Sequence, residues 1–201
     1  DDRLLADLQS MGGEFSPSLK ARLGRLVEYS EAAGTDAIIL TCNSYSKVAL
    51  SVAESVGVPF FRADDALLDK AVEVGDTIGL VATVPTALEY ASSELLGRAG
   101  ALGKSTSVVS RLCEDAFQAL GRGEAEEHDR ILLETIRELE VLVDVIALAQ
   151  YSMARVMPVV PDDPLERPDG PGARDSAGAR QRRLHLPQSN QHSGDDRVAI
   201  S

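Results

Sequence analysis

The chain has no tryptophan, and aromatic residues fill only 4% of its 201 positions. Few rings are therefore on offer for stacking single-stranded bases. Basic residues are outnumbered too, with 20 Lys and Arg against 32 Asp and Glu, a formal net charge of −12. An acidic surface repels phosphate backbones, so nucleic acid is not an expected partner. No apolar run approaches the roughly 20 residues of a membrane-spanning helix, so no membrane partner is expected. Cysteine is scarce: Cys42 and Cys113 stand alone in dissimilar surroundings. Two unmatched thiols suit a reducing cytoplasm better than a disulfide framework, and a cytoplasmic location is the expectation. No set of side chains has metal-ligand spacing. No glycine-rich dinucleotide or phosphate-loop fingerprint occurs either, so no metal and no cofactor are expected. No secretory signal opens the chain, and because Asp1 is not a natural start, more sequence is expected upstream.

What remains is an ordinary soluble composition, 44% hydrophobic and 26% charged. A chain this long buries one sizeable core or two small ones. Its apolar periodicity alternates between helix and strand. Residues 2–10 and 17–33 have helical spacing, with Ser16 as cap, Pro17 at the first helical position and Gly34 as the stop. Residues 35–41 read as a short buried strand of the parallel-sheet kind. A helix from Ser44 to Val56, a brief strand over 59–62 and a helix capped by Asp64 or Asp65 follow. Thr77–Thr83 is another buried strand, and Pro85 starts a helix to about Gly100. A strand is expected over 106–110, helices over 111–120 and 124–142, a strand over 143–149, and a helix from Ser152.

Alternating elements of this kind predict an α/β fold of parallel sheets flanked by helices. The expected organisation is a first lobe over 1–75, its first strand lying upstream, and a second lobe over 76–160. Residues 161–201, rich in Arg, Pro and Gly, read as a disordered or non-native tail.

Two segments repeat at a constant offset of 108 residues. Asp36 to Val48 matches Asp144 to Val156, with Ile38 opposite Ile146, Leu40 opposite Leu148, Ser44 opposite Ser152, and Cys42 opposite Gln150. A duplicated unit with a thiol at one strand end and an amide at the other points to a site between two pseudo-symmetric lobes. Ligands in such folds bind at the carboxyl ends of strands. Three ends matter: Thr41-Cys42-Asn43-Ser44, Thr83-Val84-Pro85-Thr86, and Ala149-Gln150-Tyr151-Ser152. Cys42 is the candidate catalytic thiol, because the helix that follows offers free N–H groups and a positive dipole end. It is expected to be more acidic and more reactive than Cys113, which reads as core. Thr83 and Thr86 suit a carboxylate cradle, though a Thr there also simply caps a helix. Gln150 can orient a ligand but cannot take a proton at neutral pH. His128, following Glu124, Glu126 and Glu127, reads as part of a solvated helix face.

With these residues laid out, the chain resembles the aspartate/glutamate/hydantoin racemase superfamily. The resemblance rests on Asp36-Ala-Ile-Ile-Leu-Thr-Cys-Asn-Ser, on Val58-Pro59 with the helix that follows, on Gly79 through Thr86, and on Asp144 through Met153. It implies two similar α/β lobes and a cofactor-independent site in the cleft, with one thiol on each face of the substrate's α-carbon. The substrate it implies is a small carboxylate, an amino acid or a related acid. Cys42 would be the catalytic thiol, and Thr41, Asn43, Ser44, Thr83, Thr86, Gln150 and Ser152 would bind substrate. A homodimer is one assembly compatible with it. The chain departs from the pattern at Gln150, which stands where the second thiol would. Three readings therefore remain open: a racemase-like enzyme, a carboxylate-binding or regulatory homologue, and a single-thiol decarboxylase or cis-trans isomerase.

Overall fold

The computed structural model describes residues 3–159 and 183–185. The chain opens with α1 (Leu4–Ser10) and α2 (Pro17–Ala32), then β1 (Ile38–Leu40), α3 (Asn43–Ala53), β2 (Phe60–Arg62) and α4 (Asp65–Val74). It continues with β3 (Thr77–Ala82), α5 (Pro85–Ala101), β4 (Ser107–Leu112), α6 (Glu114–Gly121), α7 (Ala125–Leu139) and β5 (Val145–Leu148). A 3₁₀ helix (Tyr151–Val159) and β6 (Arg183–His185) complete the described elements.

All strands pair in parallel, as the alternation of elements predicted. β1 and β2 form one sheet, and β4-β3-β5-β6 form the other. The larger sheet sorts its side chains with the period of two that a pleated strand imposes. Ile78, Leu80 and Ala82 of β3, with Val145 and Ala147 of β5, meet Leu67, Leu68 and Ala71 of α4 and Leu95 of α5. Val81, Ile146 and Leu148 point to the opposite face, against Leu132, Ile136 and Leu139 of α7 and Met153 of the 3₁₀ helix. Each fully buried Leu or Ile here is worth about 1.5–3 kcal/mol of transfer free energy. Gly79 lets α7 approach: a Cβ there would come within 3.1 Å of Val143 and 3.5 Å of Leu139.

The smaller sheet has one covered face. Ile38, Leu40 and Phe60 pack on a cluster of Leu8, Leu19, Leu23, Val27, Tyr45, Val48 and Val52 from α1, α2 and α3. Ser16 caps α2 as expected, accepting from the Leu19 N–H at 3.2 Å. On the other face Ile39 and Phe61 are 56% and 55% exposed. The strand read as buried over 35–41 is thus shorter and half exposed. Continuous hydrophobicity marks two-sided burial only where helices cover both faces.

Other expectations are corrected. Arg111 and Leu112 extend β4 rather than opening a helix, and Cys113 is the residue that precedes α6. His128 is fully buried, not solvated, because it continues the inward stripe of Leu132, Ile136 and Leu139. The turn after Gln150 is 3₁₀ rather than α. Within the segment read as irregular, Arg183–His185 pair with β5 as a strand, and the rest of 161–201 lies outside the described residues. Among the described residues no helix is long and apolar enough to cross a membrane.

Candidate active site

The three strand ends named from the sequence converge, and side-chain hydrogen bonds join them pairwise. Asn43 donates from Nδ2 to the carbonyl of Ala149, linking the ends of β1 and β5. The Thr83 N–H and hydroxyl both donate to Gln150 Oε1, at 2.5 and 3.0 Å, linking β3 to β5. The Thr86 hydroxyl donates to Ser44 Oγ at 3.0 Å, linking the start of α5 to the start of α3. Asn43, Ser44 and Thr83 are buried. Thr41 is exposed and Ser152 half-buried, and both stand outside these bonds. The Gly12–Gly13 turn lies over this region, since a Cβ at Gly13 would come within 2.7 Å of Thr86 Cγ2.

A cavity of about 40 Å³, room for water-sized groups, opens between the two halves. Asn43, Asp64 and Gln150 give it polar groups; Ala63, Leu67, Leu148 and Ala149 give it apolar walls, and Tyr151 and Ala154 complete the lining. Gln150 has its carbonyl oxygen committed to Thr83, so it has N–H donors left to offer.

Cys42 is the residue before α3, half-buried, next to cavity-lining Asn43 but not itself in the lining. It packs against the α1–α2–α3 cluster. Burial pushes its thiol above the ordinary thiol range, and the Asp64 carboxylate pushes the same way. The backbone N–H groups of Tyr45 and Ser44 and the Ser44 hydroxyl pull it down, but by less. The acidification expected from the helix N-terminus is therefore present in kind and outweighed by burial. Cys113 is buried, with Sγ 3.3 Å from the Thr135 hydroxyl, in keeping with the core reading. Burial raises that thiol as well.

Asp64 was legible only as a helix cap. Its side chain makes no capping bond to α4. Oδ1 accepts from the Ser46 hydroxyl at 3.2 Å, while Oδ2 is buried without a partner. The one sequence signal was the doublet Asp64-Asp65, because a helix start needs only one carboxylate cap. Among the described residues no group of side chains is arranged to hold a metal ion.

The model of the Asp/Glu/Hydantoin racemase family matches residues 13–165. Among solved structures the chain is similar to an aspartate racemase homologue from Pyrococcus horikoshii, at 21% identity and a TM-score of 0.52. That match covers 69% of this chain and 63% of the other. It is also similar to allantoin racemase from Klebsiella pneumoniae, at 18% identity and a TM-score of 0.53, covering 70% of this chain and 56% of the other. The chain thus spans less than two thirds of the length of either, and at these identities the likeness is one of fold. No curated protein matches the sequence.

Proposed function

The chain belongs to the Asp/Glu/hydantoin racemase family, and from that premise we propose that it is a cofactor-independent enzyme acting at the carbon next to a carboxylate. The observation that supports this most is the hydrogen-bonded joining of three strand ends, two of which line a cavity through Asn43 and Gln150, with Cys42 the chain neighbour of Asn43. In this reading the Cys42 thiolate removes the α-proton. The N–H groups at the start of α3, with Thr41, Asn43, Ser44, Thr83, Thr86 and Ser152, hold the carboxylate and the charge that develops beside it. Ser44, Thr83 and Thr86 exchange their internal hydrogen bonds for the ligand's when it arrives. Gln150 adds N–H donors. One base suffices to exchange the proton; inversion needs an acid on the opposite face, which an amide cannot be.

Because burial raises the thiol, the thiolate is scarce at neutral pH. The exchange rate should then climb about tenfold per pH unit below the thiol's pKa. The test is ¹H NMR of aspartate and glutamate in D₂O with the wild-type chain and Cys42→Ala. Loss of the α-proton signal that depends on Cys42 supports the reading; exchange equal in both proteins overturns the role of the thiol. A second reading, a carboxylate-binding or regulatory homologue, is favoured by the raised thiol and by the fixed Gln150. It predicts saturable binding of the same compounds with no exchange at any pH.

A further inference from the structure

The mechanism above leaves one buried ionisable group of the cavity unused. Asp64 is 3% exposed and lines the cavity together with Asn43 and Gln150. It sits where a carboxylate ordinarily caps a helix, yet it makes no capping bond. Its backbone there is helical, with φ −84° and ψ −15°, not the extended geometry from which such a cap reaches back. The side chain is turned instead toward Ser46, which satisfies Oδ1. Oδ2 is shut away from solvent with no hydrogen-bond partner. Buried polar atoms are nearly always paired, and an unpaired carboxylate oxygen is a costly exception that calls for a use. A structural acceptor for one hydroxyl does not require a carboxyl group; an amide would serve Ser46 equally and need not be ionised.

We propose that Asp64 is the second proton-transfer group of this site, the acid that Gln150 cannot be; the inference rests on the reading of Cys42 given above. The Cys42 thiolate takes the α-proton, forming S–H as the C–H bond breaks. The electron pair left on carbon takes the proton of the Asp64 carboxyl, forming the new C–H as O–H breaks. The products are a neutral thiol, an Asp64 carboxylate and the inverted substrate. Loss of the thiol proton to water and uptake of one by the carboxylate restore the site, and the opposite enantiomer runs the steps in reverse.

Burial favours the protonated carboxyl that this scheme needs, and the neighbouring Asp65 carboxylate adds to it. Its own backbone N–H, Arg62 and the Ser46 hydroxyl oppose the shift without cancelling it. Cys42 and Tyr90 feel the Asp64 charge in turn, so thiol and carboxyl are electrostatic neighbours.

The test follows both enantiomers of aspartate and glutamate in D₂O, with exchange read by NMR and inversion by circular dichroism. The proteins are the wild-type chain, Asp64→Asn, Asp64→Ala and Cys42→Ala. The proposal expects wild type to exchange and invert both enantiomers. Cys42→Ala should lose inversion and the exchange of the enantiomer that the thiolate deprotonates, keeping only the exchange that Asp64 drives on the other. Both Asp64 variants should keep exchange of the one enantiomer that the Cys42 thiolate deprotonates, while losing exchange of the other, and inversion, by about a hundredfold or more. Inversion at the wild-type rate in the Asp64 variants, with inversion lost in Cys42→Ala, overturns Asp64 and leaves the thiol standing. Exchange of both enantiomers that survives Cys42→Ala overturns the thiol reading instead. If wild type acts on neither probe, the pH profile of Cys42 alkylation by iodoacetamide decides. Removal of the Asp64 charge should move its midpoint to lower pH in both variants, and an unmoved midpoint overturns the placement of Asp64 near the thiol that the proposal needs.

Discussion

Gly12→Ala and Gly13→Ala differ by a single contact and make a matched pair. Both glycines have positive φ, +65° and +85°, in the turn between α1 and α2. A side chain there costs about 1–2 kcal/mol for the left-handed backbone. Alanine recovers roughly 0.4–1 kcal/mol by restricting the unfolded chain. Gly12 has open space around its missing Cβ, so its net loss should be about 0.5–1.5 kcal/mol. At Gly13 the new Cβ would stand 2.7 Å from Thr86 Cγ2, closer than real Cβ contacts come. Thr86 cannot swing away freely, because its hydroxyl is bonded to Ser44 at 3.0 Å. Breaking that bond adds about 0.5–1.5 kcal/mol. Gly13→Ala should therefore be less stable than Gly12→Ala by about 1 kcal/mol, read as a lower urea midpoint at unchanged slope. It should also change the alkylation rate of Cys42, through Ser44. Equal urea midpoints for the two variants, with equal Cys42 reactivity, would refute the view that this turn braces the site.

Thr83→Val keeps the shape of the side chain and removes one hydroxyl donor to Gln150, so it should cost about 1 kcal/mol in urea unfolding. Iodoacetamide at neutral pH should label Cys42 before Cys113, by mass spectrometry, because Cys42 is half-buried whereas Cys113 is 8% exposed. Asp65→Asn should show a pH signature. Burial acts to raise the Asp65 carboxyl, but Arg62 and Arg98 outweigh it and hold it below the ordinary 3.8. Ionised Asp65 thus contributes stability above about pH 4, and the contribution fades as the pH falls through the lowered folded value. The variant should lose about 1 kcal/mol or less at pH 7, allowing for a side chain 40% exposed, and progressively less as the pH is lowered from about 4, by urea titration.

The fold was legible where local chemistry and burial agree. Ser16-Pro17 started α2 as read, and the runs around Ile78–Ala82 and Val145–Leu148 are buried on both faces, as unbroken hydrophobicity implies. The repeat was legible because both copies end a strand at the same junction, and Asn43 in one is bonded to Ala149 in the other. His128 was misread because its acidic neighbours outweighed its spacing. Four residues before Leu132 and eight before Ile136, it belongs to the inward stripe of α7. Ile39 and Phe61 misled in the opposite direction, since no strand reveals from its own residues whether a helix will cover its second face.

The harder lesson concerns the two ionisable groups of the site. A thiol before a helix has a generic reason to be acidic, and the reason holds for Cys42: Ser44 and Tyr45 do lower it. The dipole effect is confined to the first turn and is worth about 0.3–1 kcal/mol at exposed sites. Removal of a charge from water costs more when solvent cannot follow, and Cys42 packs against a cluster containing Leu8 and Leu19. Asp64, whose own carboxyl is raised by the same burial, adds a negative neighbour. Neither term can be read from the sequence, because α1, α2 and Asp64 reach the thiol only through tertiary packing. In the proposed reaction the same two terms act usefully and in opposite directions. Burial that makes the thiolate scarce also makes it a stronger base, and burial that keeps Asp64 protonated makes it an acid at a pH where an exposed carboxyl would already be spent.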